Sequence, residues 1–268
     1  MFWRLLILLP MLHVLPQAHA ASGARCERSS PPHTVALIEL YTSEGCSSCP
    51  PADRWLSTLV SRFGPNQLIP LSLHVDYWDY IGWRDPFAQP QFSERQRRLA
   101  KLSGSGTIYT PEVFAGMREL RGWHDAATFE RRLREINRQP ARADITLAAS
   151  AGAERSLNAE LRVTLPPTGG EARAGLQAVL VLFEDQLVSS VSRGENRGVT
   201  LPHDHVVRYW SPPFPLAAAA GEQTFSQPLK LAADWNSTKL GLVAFVQDVR
   251  TGEVLQAVSM PACAPAAK

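Results

Sequence analysis

Two cysteines separated by two serines, Cys46-Ser-Ser-Cys49, stand where a β-rich run changes into a helical pattern. The run from Val35 to Thr42 is predicted as a strand, and apolar residues from Ala52 to Phe63 recur at helical spacing. Pro50-Pro51 follows the second cysteine directly. Because proline is tolerated only in the first turn of a helix, the helix is predicted to begin at or just before Pro50. The cysteine pair is therefore expected at a helix N-terminus.

Cysteines at this place can exchange disulfides, because the thiolate is the attacking species and the free N–H groups of a helix N-terminus stabilise it. Cys46, expected in an exposed turn, is the predicted attacking thiol, and Cys49 is the predicted resolving thiol. A purely structural disulfide and half of a zinc site are the alternatives, but the sequence has no second CxxC or CxxH pair to complete four ligands. An exposed Cys46 sulfur favours redox chemistry, and a buried one favours a structural disulfide.

The rest of the first half alternates strands and helices. A second apolar strand is predicted from Leu68 to Val75 and a helix from Phe92 to Leu102. Thr110-Pro111 opens a short strand that ends at Ala115, and residues 118–121 are its predicted partner. A last helix starts at Asp125 and ends before Pro140. The order β-α-β-α-β-β-α predicts an α/β domain over residues 33–139.

Beyond residue 140 the sequence shows alternating strand patterns and no convincing long helix. Turns that contain proline or glycine separate these runs. A second, all-β sandwich-like domain is therefore predicted over residues 141–262. Its predicted strands are 144–149, 157–165, 177–184, 206–209, 225–231, 240–249 and 254–260.

Thr110, Pro111 and Trp78 are the predicted substrate-binding residues. In this order of elements the strand after Pro111 faces the helix that carries the cysteines. A cis peptide bond before Pro111 would leave the Thr110 backbone free to pair with an extended substrate beside the sulfurs, and cis bonds are essentially confined to proline. Trp78 belongs to the aromatic segment 77–83, which could line a groove beside the cysteines. Packing in the core or between domains is the alternative for this segment.

Residues 1–20 have the pattern of a secretory signal peptide, with Arg4 ahead of an apolar run and Ala18-His19-Ala20 as the cleavage site. The run is too short for a stable membrane-spanning helix, so no stable membrane insertion is expected. The mature chain is predicted to be periplasmic or secreted after cleavage near Ala20. Export favours disulfides, and four cysteines allow three pairings. A structural disulfide between Cys26 and Cys263 is predicted, because the ends of a compact chain are often close in space.

Four separated segments, GCSSCPPAD, HVDYWDYIGW, YTPEVF and GENRG with LPHDHVVR, carry a resemblance to known proteins. The succession of strand, CxxC, helix and Thr-Pro resembles the thioredoxin superfamily. More narrowly, the four segments resemble the secreted bacterial family catalogued as domain of unknown function 1223. The resemblance implies a thioredoxin-like domain (βαβαββα) fused to a C-terminal β-domain, and it implies no known substrate. Thioredoxins usually have Trp where this chain has Gly45 and Gly-Pro where it has Ser47-Ser48, so the resemblance by itself does not imply their reducing power.

Glu195, His203 and His205 have the donor chemistry of a metal site. Such a site would need a distant ligand, for example His74 or His124. The preferred interpretation is a hydrogen-bonded corner that packs against the first domain, and no metal is predicted.

Two further sets of charged residues have alternative roles. Glu39 is the only acid in the first strand, and it either points at Cys49 or lies half exposed to solvent. The basic residues of the second predicted helix are expected to form a solvated face; they are Arg95, Arg97, Arg98 and Lys101.

The sequence as a whole predicts an exported thiol-disulfide oxidoreductase that acts through Cys46 and Cys49 on protein or small-molecule thiols. Its partners would be protein thiols or disulfides and an unidentified redox partner, and no cofactor is predicted. The net charge of +2 gives no indication of nucleic-acid binding. One alternative is a non-enzymatic secreted binding module with a structural CxxC disulfide. A metal-handling protein that uses the histidine pair is the other.

Overall fold

The computed structural model describes residues 25–167, 174–217 and 219–263. The predicted signal peptide at 1–20 lies outside these residues. The described chain has three α-helices, α1 (Pro50–Arg62), α2 (Pro90–Leu102) and α3 (Ala126–Asn137). Short 3₁₀ turns span Asp79–Ile81 and Ser237–Lys239. None of the helices in the described ranges is long and apolar enough to cross a membrane.

Strands make up the rest of the regular structure. In the first half they are β1 (Arg25–Ser29), β2 (Ala36–Thr42), β3 (Leu68–His74), β4 (Glu112–Ala115) and β5 (Arg118–Glu119). In the second half they are β6 (Asp144–Ala151), β7 (Ser156–Leu165), β8 (Leu176–Glu184), β9 (Leu187–Ser190), β10 (Thr200–His203), β11 (Val206–Trp210), β12 (Phe214–Pro215), β13 (Gly221–Lys230), β14 (Leu240–Asp248) and β15 (Val254–Pro261). The protein is thus a mixed α/β structure with several sheets and few helices.

The largest sheet runs through both halves of the chain. Its strand order is β15-β14-β8-β11-β3-β2-β4-β5, and β12 pairs with β8. The two halves meet where β11 lies parallel to β3, with Val206 opposite Ser72. The Ser72 N–H donates to the His205 carbonyl over 2.8 Å at this junction. The change in sequence character at residue 140 therefore does not divide the sheet.

Helices cover both faces of β2. Its side chains alternate between the two faces, and each is either apolar or hydrogen-bonded. Ile38 and Leu40 pack with α1 and α3, while Leu37 and Tyr41 pack with α2. A strand buried on both faces has no polar alternation, which matches the continuous apolar run in the sequence.

The second half forms a sandwich of two sheets. A four-stranded sheet, β1-β6-β7-β13, packs its apolar side chains against those of β8, β14 and β15. Strand β7 alternates buried and more exposed residues along its length, as expected for a strand with one face on the core. Strand β1 was not predicted from the sequence, and neither were the short strands β9, β10 and β12. A disulfide joins Cys26 in β1 to Cys263 beyond β15, with Cα atoms 6.1 Å apart.

The predicted solvated face of α2 is wrong for Arg95. Its guanidinium donates to both carboxylate oxygens of Glu39, over 2.6 Å and 2.7 Å. Glu39 is fully buried, which also overturns the half-exposed alternative, and it accepts a third hydrogen bond from the Tyr41 hydroxyl over 2.9 Å. The Arg95 guanidinium also lies over the Trp210 ring, 4.7 Å from its centroid. A buried carboxylate is stable only when it is paired in this way, so Glu39 is committed to Arg95 and not to Cys49.

Candidate functional site

Cys46 and Cys49 form a disulfide at the N-terminus of α1, with Cα atoms 5.4 Å apart. Cys49 is the N-cap residue, and its carbonyl accepts the N–H groups of Ala52 and Asp53. The Cys49 N–H itself donates to the Cys46 carbonyl over 3.2 Å. Pro50 occupies the first helical position, because a proline there gives up no hydrogen bond that the helix needs.

Both sulfurs are buried, since Cys46 and Cys49 are each 0% exposed. The expectation that Cys46 lies in an exposed turn is therefore wrong. Only Ser47 and Ser48, between the cysteines, reach the surface. The turn is packed in the tertiary structure, where a segment from the second half of the chain lies against its backbone.

This segment is the cap hairpin, residues 187–203, made of β9, β10 and the loop between them. The Asn196 side-chain amide donates to the carbonyls of Glu44 and Cys46, over 2.8 Å and 3.0 Å. The Glu195 carboxylate accepts the Ser47 N–H over 3.0 Å. These three hydrogen bonds attach the cap hairpin to the backbone of the CxxC turn.

The base of the cap hairpin is attached through a buried pair of side chains. His203 Nε2 and Glu44 Oε1 lie 3.1 Å apart, and both side chains are almost fully buried. The second oxygen of Glu44 accepts the Trp83 indole N–H over 2.8 Å. Glu44 is thus held between the cap hairpin and the aromatic segment 77–83. The buried Glu44 carboxylate is therefore a structural link between these two segments.

Thr110, Pro111 and Trp78 all lie beside the cysteine pair. The peptide bond between Thr110 and Pro111 is cis. The Ser48 hydroxyl lies 3.3 Å from Cys46 Sγ and donates to the Thr110 carbonyl over 3.5 Å. The Trp78 indole N–H donates to Thr110 Oγ1 over 2.7 Å.

Gly45 lets the aromatic segment approach the turn closely. A Cβ at this position would lie 3.0 Å from Cβ of Trp78 and 3.3 Å from Cδ1 of Ile81. Both distances are shorter than ordinary van der Waals contacts, so a side chain at 45 would push the aromatic segment away. The small residue before Cys46 is therefore explained by the packing of Trp78.

The three residues considered as metal ligands have separate partners. His203 contacts Glu44, the His205 ring lies 3.1 Å from Asp185, and Glu195 accepts from Ser47. His124 packs edge-on against Trp123. In the described parts of the chain, no group of three or more His, Cys, Asp or Glu side chains is arranged to hold a metal ion.

A second buried histidine–carboxylate pair lies next to the first. His74 Nδ1 and Asp85 Oδ2 are 2.7 Å apart, and the His74 ring lies 5.1 Å from that of His203. Burial opposes the charge on His74, but Asp85 outweighs it and raises the pKa of this imidazole above its ordinary value. Burial likewise opposes the charge on Asp85, yet His74 lowers its pKa. Asp85 also accepts the Glu44 N–H over 2.8 Å, so this pair fixes the strand end that leads into the CxxC turn.

Two buried acids near the cysteines were not found from the sequence. Asp53 lies one helical turn after Cys49; burial raises its pKa, and its Oδ2 accepts from the Thr42 hydroxyl over 3.2 Å. Glu112 directly follows Pro111, and burial raises its pKa to about 7. Gln96 donates to Glu112 over 2.6 Å and leaves the other carboxylate oxygen without a partner. For Glu112 the sequence did contain a signal, because it is an acidic residue in the otherwise apolar strand Glu112–Ala115.

These observations define the class: a mixed α/β protein with a buried CxxC disulfide at a helix N-terminus, covered by a hairpin from its C-terminal half. The chain belongs to the family described as protein of unknown function DUF1223, whose profile matches residues 37–247. Comparison with curated proteins finds no significant match.

Two solved structures have a similar fold. One is a crystal structure of a protein from Agrobacterium tumefaciens, with a TM-score of 0.60 and 22% identity over 87% of this chain and 96% of that one. The other is HBP35 of Porphyromonas gingivalis, with a TM-score of 0.65 and 15% identity over 87% of this chain and 76% of that one. At these identities the similarity concerns the fold alone.

Proposed function

We propose that this protein is an exported thiol-disulfide oxidoreductase whose first half is a thioredoxin-like domain. The observation that carries the proposal is the position of the Cys46–Cys49 disulfide, at a helix N-terminus and beside Thr110-Pro111. A second disulfide, between Cys26 and Cys263, is consistent with an oxidising compartment outside the cytoplasm.

The proposed reaction is a two-step exchange. In the reduced protein the Cys46 thiolate attacks one sulfur of a substrate disulfide, the substrate S–S bond breaks, and the departing thiolate takes up a proton. The Cys49 thiolate then attacks Cys46 Sγ, which releases the second substrate thiol and re-forms the Cys46–Cys49 disulfide. Two electrons pass from the protein to the substrate, and the reverse sequence oxidises a substrate dithiol.

The Cys46 thiolate would be stabilised by a nearby side chain more than by the helix backbone. Pro50 and Pro51 have no N–H, so the first turn of α1 offers fewer backbone donors than an ordinary helix N-terminus. The Ser48 hydroxyl, 3.3 Å from Cys46 Sγ, is a donor that can turn toward the thiolate. The Thr110 carbonyl now contacted by Ser48 would then be free for the substrate backbone.

The cap hairpin has to move before a substrate sulfur can reach Cys46. Disulfide exchange requires access to the attacked sulfur, and Cys46 is 0% exposed. Two hydrogen bonds donated by Asn196 and one accepted by Glu195 attach the loop of the hairpin to the turn. These hydrogen bonds can break without disturbing the sheets. Access is therefore proposed to depend on a local opening of this loop.

A structural disulfide in a non-enzymatic module is the second candidate, and the burial of Cys46 favours it. The two functions differ in the reduction potential of the pair. Structural disulfides in exported proteins have potentials below about −300 mV, whereas disulfide donors and reductases lie between about −120 and −270 mV.

The test is a redox titration of Cys46–Cys49 in glutathione and dithiothreitol buffers, read by alkylation and mass spectrometry. It is combined with trapping by Cys49→Ser, with Cys46→Ser as the matched control. An oxidoreductase gives a potential in the higher range, and only Cys49→Ser accumulates mixed disulfides. A potential below about −300 mV with no trapped species would establish the structural role.

A further inference from the structure

Beside the CxxC turn lies an open depression formed by the cap hairpin and the aromatic segment. Its volume is about 670 Å³, and its lining residues are Ile81, Ser192, Arg193, Gly194, Glu195 and Arg197. It adjoins the cysteines, because Glu195 accepts the Ser47 N–H and Ile81 lies against Gly45. In the closed state the depression therefore lies beside the CxxC turn, and its two arginines belong to the loop whose local opening is proposed to expose Cys46.

The depression has a fixed floor. Gly194 has a positive φ of 75°, and a Cβ there would lie 3.2 Å from Ile81 and 3.3 Å from Trp83. Only glycine combines this backbone conformation with so close an approach. In the closed state the cap hairpin is therefore seated on the aromatic segment.

The charge of the depression is positive at its surface. Arg193 and Arg197 are exposed, and neither has a carboxylate partner among the described residues. The one acid in the lining, Glu195, accepts hydrogen bonds from Ser47 that lower its pKa and keep it ionised, so the lining carries two positive charges and one negative charge. Glu44, the nearest acid on the turn itself, is buried and paired with His203. Asp79 in the aromatic segment accepts the Asp85 N–H.

We infer that the cap hairpin selects anionic disulfides, with Arg193 and Arg197 holding carboxylates on the group that flanks the substrate sulfur. This inference rests on the proposed oxidoreductase function and names its substrate class. Exposed pairs of opposite charge contribute about 0.2–1 kcal/mol each and weaken as salt increases. Two such pairs correspond to a normalised rate that is about 2- to 30-fold higher for an anionic disulfide than for a neutral one.

The test compares three small disulfides of similar size with the reduced protein. The anionic probe is 3,3′-dithiodipropionate, the neutral probe is 2-hydroxyethyl disulfide and the cationic probe is cystamine. Each rate constant is divided by that of the same probe with dithiothreitol, which removes the intrinsic reactivity. An acidic peptide disulfide and its Gln-substituted equivalent test whether a peptide is selected as well.

The expected order is anionic, then neutral, then cationic, with the differences reduced at about 0.5 M salt. Arg193→Gln with Arg197→Gln should bring the normalised rates within about 2-fold of each other. Arg131→Gln with Arg138→Gln removes the same charge from exposed positions outside the depression and should leave the order unchanged. Equal normalised rates in the unmodified protein would overturn the inference and leave the proposed function intact. No exchange with any probe, even after the Asn196 amide is removed, would instead overturn the proposed function.

Discussion

The attachment of the cap hairpin can be tested by removing one side chain, Asn196. This residue is 6% exposed, and its amide donates to two backbone carbonyls of the CxxC turn. Each such hydrogen bond contributes about 0.5–1.5 kcal/mol to the closed arrangement. Asn196→Ala removes both donors and leaves the carbonyls of Glu44 and Cys46 unsatisfied when the hairpin is closed. The closed state should therefore lose about 1–3 kcal/mol relative to the open one.

If Cys46 reacts only from the open state, the rate of its reduction follows the opening equilibrium. A change of 1–3 kcal/mol corresponds to an increase of about 5- to 150-fold, since each 1.4 kcal/mol is a factor of ten. The assay is a timed series of dithiothreitol pulses, each quenched by alkylation, with the Cys46–Cys49 peptide quantified by mass spectrometry.

Asn158→Ala is the matched control, because Asn158 is exposed on β7 and far from the turn in the sheet order. In this variant the Cys46–Cys49 disulfide should be reduced at the same rate as in the unmodified protein. Circular dichroism of both variants should show an unchanged fold. A folded Asn196→Ala protein that is reduced at the original rate would refute the gating argument, as would an equal acceleration at Cys26–Cys263.

Three other measurements follow from the structure. Replacing Cys26 and Cys263 together by serine should lower the free energy of unfolding by about 4–5 kcal/mol, measured in urea, because the disulfide closes a very long loop; a loss under about 1 kcal/mol contradicts this. Glu112 has a folded-state pKa of about 7, above its unfolded value, so its contribution to stability is present below about pH 4 and lost as the pH rises through 7. Between pH 5 and pH 8 the free energy of unfolding should fall by about 1–2 kcal/mol, and Glu112→Gln should abolish this fall. If the variant shows the same pH profile as the unmodified protein, Glu112 does not titrate in this range. Glu39→Ala should cost about 3–5 kcal/mol in the same assay because it leaves Arg95 buried without its partner, whereas the double change with Arg95→Met should recover part of that loss.

Local signals in the sequence were sufficient for most of the elements. The prolines after Cys49 and the apolar spacing up to Phe63 predicted a helix, which spans Pro50–Arg62. Alternation predicted β7, and a run without alternation predicted β3, because the pattern of each strand reflects how many of its faces are buried. Short strands such as β9 and β10 were missed, since four residues are too few to show a period.

The environment of the cysteine pair was decided by contacts between distant parts of the chain. The sequence by itself determined that Cys46 and Cys49 lie at a helix N-terminus, because proline restricts where a helix can begin. Only the tertiary structure decided that Cys46 is buried, because the cap hairpin is attached to the turn through Asn196, which lies 150 positions away along the chain. Periodicity reports which side of an element is apolar, but it carries no information on which distant segment will cover that side. The pairing of β11 with β3 brings the second half of the chain to the turn, and so the accessibility of Cys46 is a property of the assembled sheet.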